Sequence, residues 1–244
     1  MTTDKAGVLR ALHVPGNPLI LPNVWDAASA RAVGEAGFPA VATGSAAVSQ
    51  VLGYEDGEGT PVGEMMAAIA RIVRVVDVPV TADIERGYGL KPAELVERLA
   101  ATGAVGCNIE DSTAGTLVDP GEQADFLAEM RSAAGHGLVI NARVDVYLRG
   151  RPSREEAVAR GRRYLEAGAD CVYPIGLGDE DEIKALVSEV GGPVNIFFRS
   201  GLPAFERLGE LGVARISFGG GLHRATHVYT QSLIEKVKAG RSPY

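Results

Sequence analysis

Two acidic residues, separated by a single residue, stand out in the segment VTADIERGYG, residues 80–89. Asp83 and Glu85 follow an apolar run, and alternation along a strand would point both side chains to the same side. Glu110 ends a second apolar run, GCNIE, and Arg143 ends a third, VINAR. Carboxylates that meet without counter-ions repel one another, and a divalent cation relieves that repulsion. These residue types indicate a Mg²⁺ site that could also take Mn²⁺, because both cations prefer oxygen ligands.

Arg143 and a turn of small residues suggest how an anion would be held beside these acids. A guanidinium can donate two hydrogen bonds to one carboxylate or phosphonate group. The turn TGSAA, residues 43–47, has small side chains, so its backbone N–H groups could approach an anion closely. Together, the arginine and the turn predict a small, multiply anionic substrate next to the metal.

Eight apolar runs, alternating with helical patterns, must position these residues. The predicted strands are residues 18–24, 40–44, 78–84, 105–110, 138–144, 171–175, 193–198 and 214–218. They are continuously apolar, as strands buried on both faces are. Eight strand–helix units predict an α/β fold, a closed parallel (β/α)₈ TIM barrel, as a single domain over residues 1–244. A doubly wound open sheet is the alternative, although no Gly-x-Gly-x-x-Gly follows the first strand.

The active site of such a barrel is built from the loops that follow the carboxyl ends of its strands. The side chains predicted at those ends are Trp25, Asp26, Asp56, Glu58, Asp83, Glu85, Asn108, Glu110, Asp111, Asn141, Arg143, Asp145, Tyr173, Asn195, Arg199 and Ser217. Each acid alone has a structural explanation: Asp26 and Asp111 could cap the next helix, and Arg143 could neutralise Glu110. Acids on three adjacent strand ends, with Arg143 and Asn195 across the barrel mouth, favour a ligand site.

Composition limits the classes of partner. The net charge of −7 gives no sign of a nucleic acid or an anionic membrane as partner. The longest apolar runs fall well short of the roughly 18 residues of a membrane helix. The amino-terminal segment is polar, unlike a secretory signal, so a cytoplasmic protein is expected.

Cysteines and histidines add no separate site. Two cysteines make no disulfide framework, and Cys107 lies inside the fourth predicted strand as a buried thiol. The four histidines have no metal-ligand spacing and are expected at the surface or at an interface, with His223 a modest exception because it follows the eighth predicted strand. They are His13, His136, His223 and His227.

Four segments together resemble the isocitrate lyase/phosphoenolpyruvate mutase superfamily. They are NVWDAASARAVGEAGFPAVATGSAAVSQVLGYEDGE, PVTADIERGYG, GAVGCNIEDS and the stretch from NARVDVYLRG to EEAVARGRRYLEAGADCVYPIG. The resemblance covers about residues 18–220. It implies a (β/α)₈ barrel that binds Mg²⁺ and acts on α-oxo or α-hydroxy acids. It also implies C–C or C–P chemistry through an enolate-like intermediate. The expected assembly is a homodimer or homotetramer in which the last helix is swapped between subunits.

The resemblance also implies roles for individual residues. Asp83 resembles the direct metal ligand, and the acids that would hold metal-bound waters are Asp56, Glu85 and Glu110. Many relatives have Asp in place of Glu85. The substrate-binding residues implied by position are Thr43, Gly44, Ser45, Arg143 and Asn195.

The loop after Glu110 departs from the superfamily pattern. It reads EDSTAGTLVDPGEQ, without the Lys-x-Cys-Gly-His of the isocitrate lyases or the Lys-x-Asn-Ser type of the mutases, and its small residues suit a mobile lid. We therefore predict a Mg²⁺-dependent lyase that cleaves a C–C bond of a small 2-oxo or 2-hydroxy diacid, oxaloacetate-like, by decarboxylation or retro-aldol cleavage. Glu110 and Arg143 would serve catalysis, with Tyr54 or a metal-held water as proton donor.

Two alternatives stay open. One is a C–P mutase or hydrolase acting on phosphoenolpyruvate or phosphonopyruvate. The other is a non-catalytic barrel that binds oxo acids or supports an assembly. Turnover assays would distinguish the C–P enzyme from the predicted C–C lyase. Ligand binding without turnover would indicate the non-catalytic barrel.

Overall fold

A computed structural model describes residues 4–149 and 152–244 and confirms the predicted barrel. Its strands are β1 (Leu19–Leu21), β2 (Asn23–Val24), β3 (Val41–Thr43), β4 (Val80–Asp83), β5 (Gly106–Ile109), β6 (Ser112–Thr113), β7 (Thr116–Leu117), β8 (Val139–Arg143), β9 (Cys171–Tyr173), β10 (Asn195–Phe197) and β11 (Arg215–Ser217). Its helices are α1 (Lys5–Ala11), α2 (Ala27–Glu35), α3 (Ser45–Leu52), α4 (Val62–Val73), α5 (Pro92–Thr102), α6 (Pro120–Ala134), α7 (Val146–Arg149), α8 (Arg154–Glu166), α9 (Glu180–Val190), α10 (Phe205–Glu210) and α11 (Gly221–Lys238).

The strands close into a parallel ring, which rules out the open sheet. One run pairs in the order β2-β3-β4-β5-β8-β9 and another in the order β1-β11-β10, and every barrel pair is parallel. A bridge between Val172 and Val194 joins β9 to β10. Pro22 divides the predicted first strand into β1 and β2, because proline has no N–H to donate to a neighbouring strand. The pair β6–β7 is an antiparallel hairpin outside the ring.

Apolar side chains fill the lower barrel, and α1 closes that end. Leu9 of α1 packs inside against residues of β1, β3 and β8. The members of this cluster are Leu9, Leu19, Leu21, Ala40, Ala42 and Val139. His13, just after α1, is 6% exposed, so the prediction that it lies at the surface or an interface is wrong. The reason is that the chain crosses the barrel bottom before entering β1.

The predicted helix caps divide into two groups. Asp26 caps α2 by accepting from the Ser29 backbone N–H at 2.7 Å. Ser153 caps α8 in the same way. Asp111 caps no helix, because the hairpin β6–β7 follows it and α6 begins only at Pro120, behind its own cap Asp119.

The last helix projects apolar side chains outward. None of the 18 residues of α11 is buried. Its exposed large apolar side chains are Leu222, Val228, Tyr229, Ile234 and Val237. In the described part of the chain, no helix is long and apolar enough to cross a membrane.

Candidate active site

Asp83 ends β4 and lies where the barrel opens. Its Oδ2 accepts hydrogen bonds from the backbone N–H (3.3 Å) and the hydroxyl (3.2 Å) of Ser45. Its own N–H donates to Thr43 Oγ1 at 2.9 Å, which ties β4 to the turn after β3. Burial raises the pKa of Asp83, and repulsion from Asp56 raises it further, while Arg143 acts in the opposite direction. This carboxylate therefore carries a charge that its surroundings only partly offset.

Glu85 reaches the same region by a sharp backbone turn. The strand ends at Asp83, and Glu85 has φ = 50°, so strand alternation does not extend to it. Its carboxylate accepts from the Tyr88 hydroxyl at 2.9 Å and from the Glu58 backbone N–H. Glu58 in turn accepts from the Tyr88 N–H. Positive φ at Glu85, Tyr88 and Glu58 costs of order 1 kcal/mol at each residue, and these contacts hold the turn in place.

Glu110 and Arg143 form an ion pair at the ends of β5 and β8. Arg143 Nη1 contacts Glu110, while its Nε and Nη2 donate to the two oxygens of Asp145 at 3.0 Å each. Arg143 is 7% exposed and Asp145 is fully buried. The two-point contact with Asp145 fixes the plane of the guanidinium, so Nη1 is aimed at the mouth. Burial raises the pKa of Glu110 to about 8, with Arg143 opposing that rise.

Asp111 supports this pair from behind. Its Oδ1 accepts from the Asp145 backbone N–H at 2.8 Å, and its Oδ2 accepts from the Tyr164 hydroxyl at 2.7 Å. Arg160 of α8 donates to the same Oδ2 at 3.1 Å. Asp111 is fully buried, so these partners satisfy a charge that would otherwise be costly.

The predicted anion turn lies beside Asp83. Thr43 and Gly44 are buried, and Ser45 begins α3, so the turn is at a helix N-terminus. Asn23, which the sequence reasoning did not single out, holds the turn. Its Nδ2 donates to the Thr43 carbonyl at 2.8 Å, and its Oδ1 accepts from the N–H groups of Phe218 and Gly219. Asn23 thereby joins the loops after β3 and β11.

Asn195 and Tyr173 occupy the opposite wall. Asn195 is fully buried on β10, its Oδ1 accepts from Ser217 Oγ at 3.2 Å, and its Nδ2 has no partner among the described residues. Tyr173 on β9 is 3% exposed, and burial raises its pKa to about 12. An unpartnered buried donor is costly, so Asn195 Nδ2 is suited to a ligand or a water molecule.

Two predicted site residues lie further out. Tyr54 donates its hydroxyl to Glu64 Oε1 at 2.7 Å, which raises the pKa of Tyr54, and makes no hydrogen bond to Asp83, Glu85 or Glu110. Asp56 is exposed, on the loop between α3 and α4. It is near enough to raise the pKa of Glu85 by repulsion. The structure thus gathers Asp83, Glu85, Glu110 and Arg143, hereafter the mouth cluster, and leaves Tyr54 and Asp56 at its rim.

The loop after Glu110 folds as a hairpin over this cluster. Ala114 and Gly115 both have positive φ, as a two-residue hairpin turn requires. Ser112 at its base donates to Asp145 Oδ2, so the hairpin is tied to the residue that orients Arg143. A cavity of about 100 Å³ lies beneath the hairpin, with Glu58, Glu85, Arg86, Glu110, Ser112 and Arg149 in its lining.

The mouth cluster suits Mg²⁺ in its donor chemistry. Within residues 4–149 and 152–244, no three Asp, Glu, His or Cys side chains are already arranged as a ligand set. Mg²⁺ often takes one or two carboxylates directly and keeps several waters. One carboxylate with further acids around it can therefore hold this ion without such a set. Burial raises the pKa values of Asp83, Glu85 and Glu110 and so disfavours their ionised forms, which a bound divalent cation would favour.

Glu85 makes the stability of the metal-free protein depend on pH. Burial raises its pKa from 4.5 to about 7. Because the folded state holds this proton more tightly than the unfolded state, the free energy of unfolding should fall as pH rises between those values. Between pH 5 and pH 7 the expected loss is about 2 kcal/mol. Urea unfolding at pH 5, 6 and 7 in EDTA measures it, and Glu85→Gln is the control. Equal slopes for the two proteins would contradict the prediction.

The remaining histidines and cysteines lie outside the mouth cluster. His136 and His227 are exposed, and the half-buried His223 packs edge-on against Trp25 at 4.9 Å. Cys107 is fully buried on β5, and burial raises its pKa to about 12, as expected of an inert thiol.

The fold and the site together define a parallel (β/α)₈ barrel whose mouth gathers carboxylates around one buried arginine. The family model for phosphoenolpyruvate phosphomutase matches residues 9–238. An uncharacterised protein of Mycobacterium tuberculosis is 37% identical over 222 residues, which cover 88% of this chain and 85% of that protein. The oxaloacetate decarboxylase of Pseudomonas entomophila is 30% identical over 225 residues, 86% of this chain and 76% of the decarboxylase.

A solved structure agrees with these sequence relatives. A Burkholderia cenocepacia protein, provisionally described as a phosphonomutase, superposes with a TM-score of 0.90 at 40% identity. The match covers 96% of this chain and 100% of that protein. The chain belongs to the phosphoenolpyruvate phosphomutase family, within the isocitrate lyase/phosphoenolpyruvate mutase superfamily that its motifs resemble.

Proposed function

We propose that the chain is a Mg²⁺-dependent lyase that cleaves a C–C bond of a small 2-oxo or 2-hydroxy diacid, with an oxaloacetate-like substrate. The observation that carries this proposal is the mouth cluster, where Asp83 and Glu85 form no ion pair with any residue that the structure describes and lie near an arginine held rigidly by Asp145. The 30% identity to an oxaloacetate decarboxylase supports the same chemistry.

Asp83 is proposed as the inner metal ligand, with Asp56, Glu85 and Glu110 holding metal-bound waters. Asp83 ends a barrel strand, and hydrogen bonds with Ser45 and Thr43 hold it in place. Bound Mg²⁺, or Mn²⁺ in its place, would act as a Lewis acid on the substrate's 2-oxo and carboxylate oxygens.

Arg143 is proposed to bind the oxo or carboxylate end of the substrate. Asp145 occupies Nε and Nη2, which leaves Nη1, now in contact with Glu110, as the group that can turn to an anion. Its positive charge would stabilise the negative charge that develops on the substrate as the C–C bond breaks. Glu110, whose pKa is raised to about 8, could then carry a proton near neutral pH.

Other residues at the mouth would position the substrate or supply a proton. The turn Thr43, Gly44 and Ser45 offers backbone N–H groups at the start of α3 to a second carboxylate. Asn195 offers its unpartnered Nδ2 from the far wall. The proposed proton donor remains Tyr54 or a metal-held water, and Tyr54 would have to release Glu64 to act.

The hairpin lacks the Cys, Lys and His that the loops of other superfamily members carry, which favours simple cleavage. Residues 111–118, DSTAGTLV, contain no Cys, Lys or His, so proton transfer there would need another group. Decarboxylation places the fewest demands on a loop residue, because the leaving group is CO₂ and only the remaining carbanion equivalent needs a proton.

Product analysis tests this function. Oxaloacetate, 2-oxoglutarate, phosphonopyruvate and phosphoenolpyruvate would be incubated separately with the protein in Mg²⁺ or EDTA and followed by ¹H and ³¹P NMR. We expect Mg²⁺-dependent cleavage of an oxaloacetate-like acid and unchanged ³¹P spectra. Thermal stabilisation by the acids without turnover of any would indicate the non-catalytic barrel instead.

The second candidate function is cleavage or formation of a C–P bond, and the match to the family model supports it. The matching family model is that of phosphoenolpyruvate phosphomutase, and the 40% identical structure is provisionally described as a phosphonomutase. The lack of a Lys-x-Asn-Ser type loop in this chain argues against it. New ³¹P resonances from either phosphorus substrate would establish this candidate in place of the first.

The exposed apolar side chains of α11 support a homodimer or homotetramer in which α11 is exchanged between subunits. Val228 and Tyr229 are 59% and 65% exposed, and an apolar groove beside the helix includes Trp25 and Leu222. A second copy could cover both surfaces. We expect the double variant Val228→Glu/Tyr229→Glu to lower the mass measured by light scattering, while the charge change Lys238→Glu leaves it unaltered. A monomeric wild-type protein would contradict the prediction.

A further inference from the structure

A fully buried arginine, Arg215 of β11, lies inside the barrel. Its Nη2 donates to Asn108 Oδ1 at 3.1 Å, and its Nη1 is 3.5 Å from His13 Nε2. Its Nε has no hydrogen-bond partner, and in the described part of the chain no carboxylate forms an ion pair with it. Bulky apolar residues normally fill this position in such barrels, and burial of an unpaired charge is costly.

The guanidinium lies one layer below Glu110 and Arg143, beside Asn108, which pairs in register with Asp83. Asn108 and Asn141 each stand two residues before a cluster member, Glu110 and Arg143, on the same strands. Asn141 Nδ2 also donates to Asn108 Oδ1, at 2.8 Å. Since residues two apart on a strand share a face, Arg215 is held beneath the strand ends that carry the cluster.

His13 does not offset the charge of Arg215. Its Nδ1 is 2.8 Å from the Leu9 carbonyl, so the N–H is placed there and the Nε2 lone pair faces Arg215. Burial, reinforced by the charge of Arg215, lowers the pKa of His13 to about 4, so the ring is neutral. Burial lowers the pKa of Arg215, and the charge of Asp83 in the mouth cluster acts in the opposite direction.

We propose that Arg215 is an electrostatic positioning residue: from beneath, its charge offsets the mouth carboxylates and makes the site more favourable to an anionic substrate. This inference rests on the proposed metal site. It has a consequence that a packing role lacks, because one buried positive charge must act in opposite directions on a cation and on an anion bound in the same mouth.

Calorimetry at pH 9 tests this consequence. The probes are Mg²⁺ alone and oxalate in saturating Mg²⁺. We expect Arg215→Gln, which can keep the hydrogen bond to Asn108, to bind Mg²⁺ about tenfold more tightly and oxalate about tenfold more weakly. Arg215→Met should give the same signs, which guards against a folding defect particular to one variant.

Asn141→Ser is the matched control, because it disturbs the same network without changing charge. This variant should weaken the binding of both Mg²⁺ and oxalate or of neither. If the Arg215 variants also move both affinities in one direction, or move neither, the inference is overturned. A wild-type protein that binds no Mg²⁺ is a different result, because it would remove the proposed metal site itself.

Discussion

The Asp83→Asn variant should lose Mg²⁺ binding by at least about 100-fold and turnover by about 10³-fold. The amide keeps the shape of the side chain and can still accept from Ser45, but it removes the charge that an inner ligand supplies. Burial and the repulsion from Asp56 both disfavour the ionised form, so the metal-free variant should be at least as stable as the wild type. Calorimetry with Mg²⁺, steady-state kinetics and thermal unfolding measure the three effects.

Asp77→Asn is the control for this change. Asp77 is exposed and lies just before β4, at the opposite end of the same strand from Asp83. The same chemical substitution there should leave Mg²⁺ affinity and turnover within twofold of wild type. An Asp83→Asn protein that binds Mg²⁺ normally would show that another carboxylate is the inner ligand.

The Arg143→Gln variant should lose both activity and stability. Without the guanidinium, substrate binding and charge stabilisation are lost together, and kcat/KM should fall by about 10³-fold. Asp145 would be left as a buried carboxylate without its cation, which costs about 3–5 kcal/mol. Urea unfolding and steady-state kinetics check the two effects separately.

Arg207→Gln is the matched control, because Arg207 is an exposed arginine with ion pairs to Glu180 and Glu210. Exposed pairs contribute little, so this variant should lose less than about 1 kcal/mol and no activity. Retention of kcat/KM within tenfold of wild type by Arg143→Gln would contradict the role proposed for Arg143.

The barrel could be predicted from local sequence patterns, whereas the backbone conformation beyond its strand ends could not. Eight apolar runs separated by helical patterns place all eight barrel strands, because parallel strands buried on both faces are apolar throughout. The break at Pro22 follows from its missing N–H. The left-handed turn at Glu85 was not predicted, because Glu58, whose backbone N–H and carboxylate help to hold it, lies 27 positions away in the loop after α3.

The contacts that sequence reasoning missed are those between distant residues. The link from Arg215 to Asn108 joins positions 107 apart, and Asn23 reaches Phe218 across 195 positions. His13 was misplaced for the same reason, since only the closed barrel shows that the chain after α1 covers its lower end. An arginine inside an apolar strand, VARIS, was the one signal available in the sequence.

The rate of oxaloacetate loss at a fixed Mg²⁺ concentration, compared between wild type and Asp83→Asn, tests the central claim most directly. Both reactions contain the same free metal, so metal-catalysed loss in solution cancels in the comparison. We predict rapid formation of pyruvate or another C–C cleavage product with wild type, and the background rate with Asp83→Asn. Equal rates for the two proteins, or a wild-type rate that EDTA does not change, would contradict the claim.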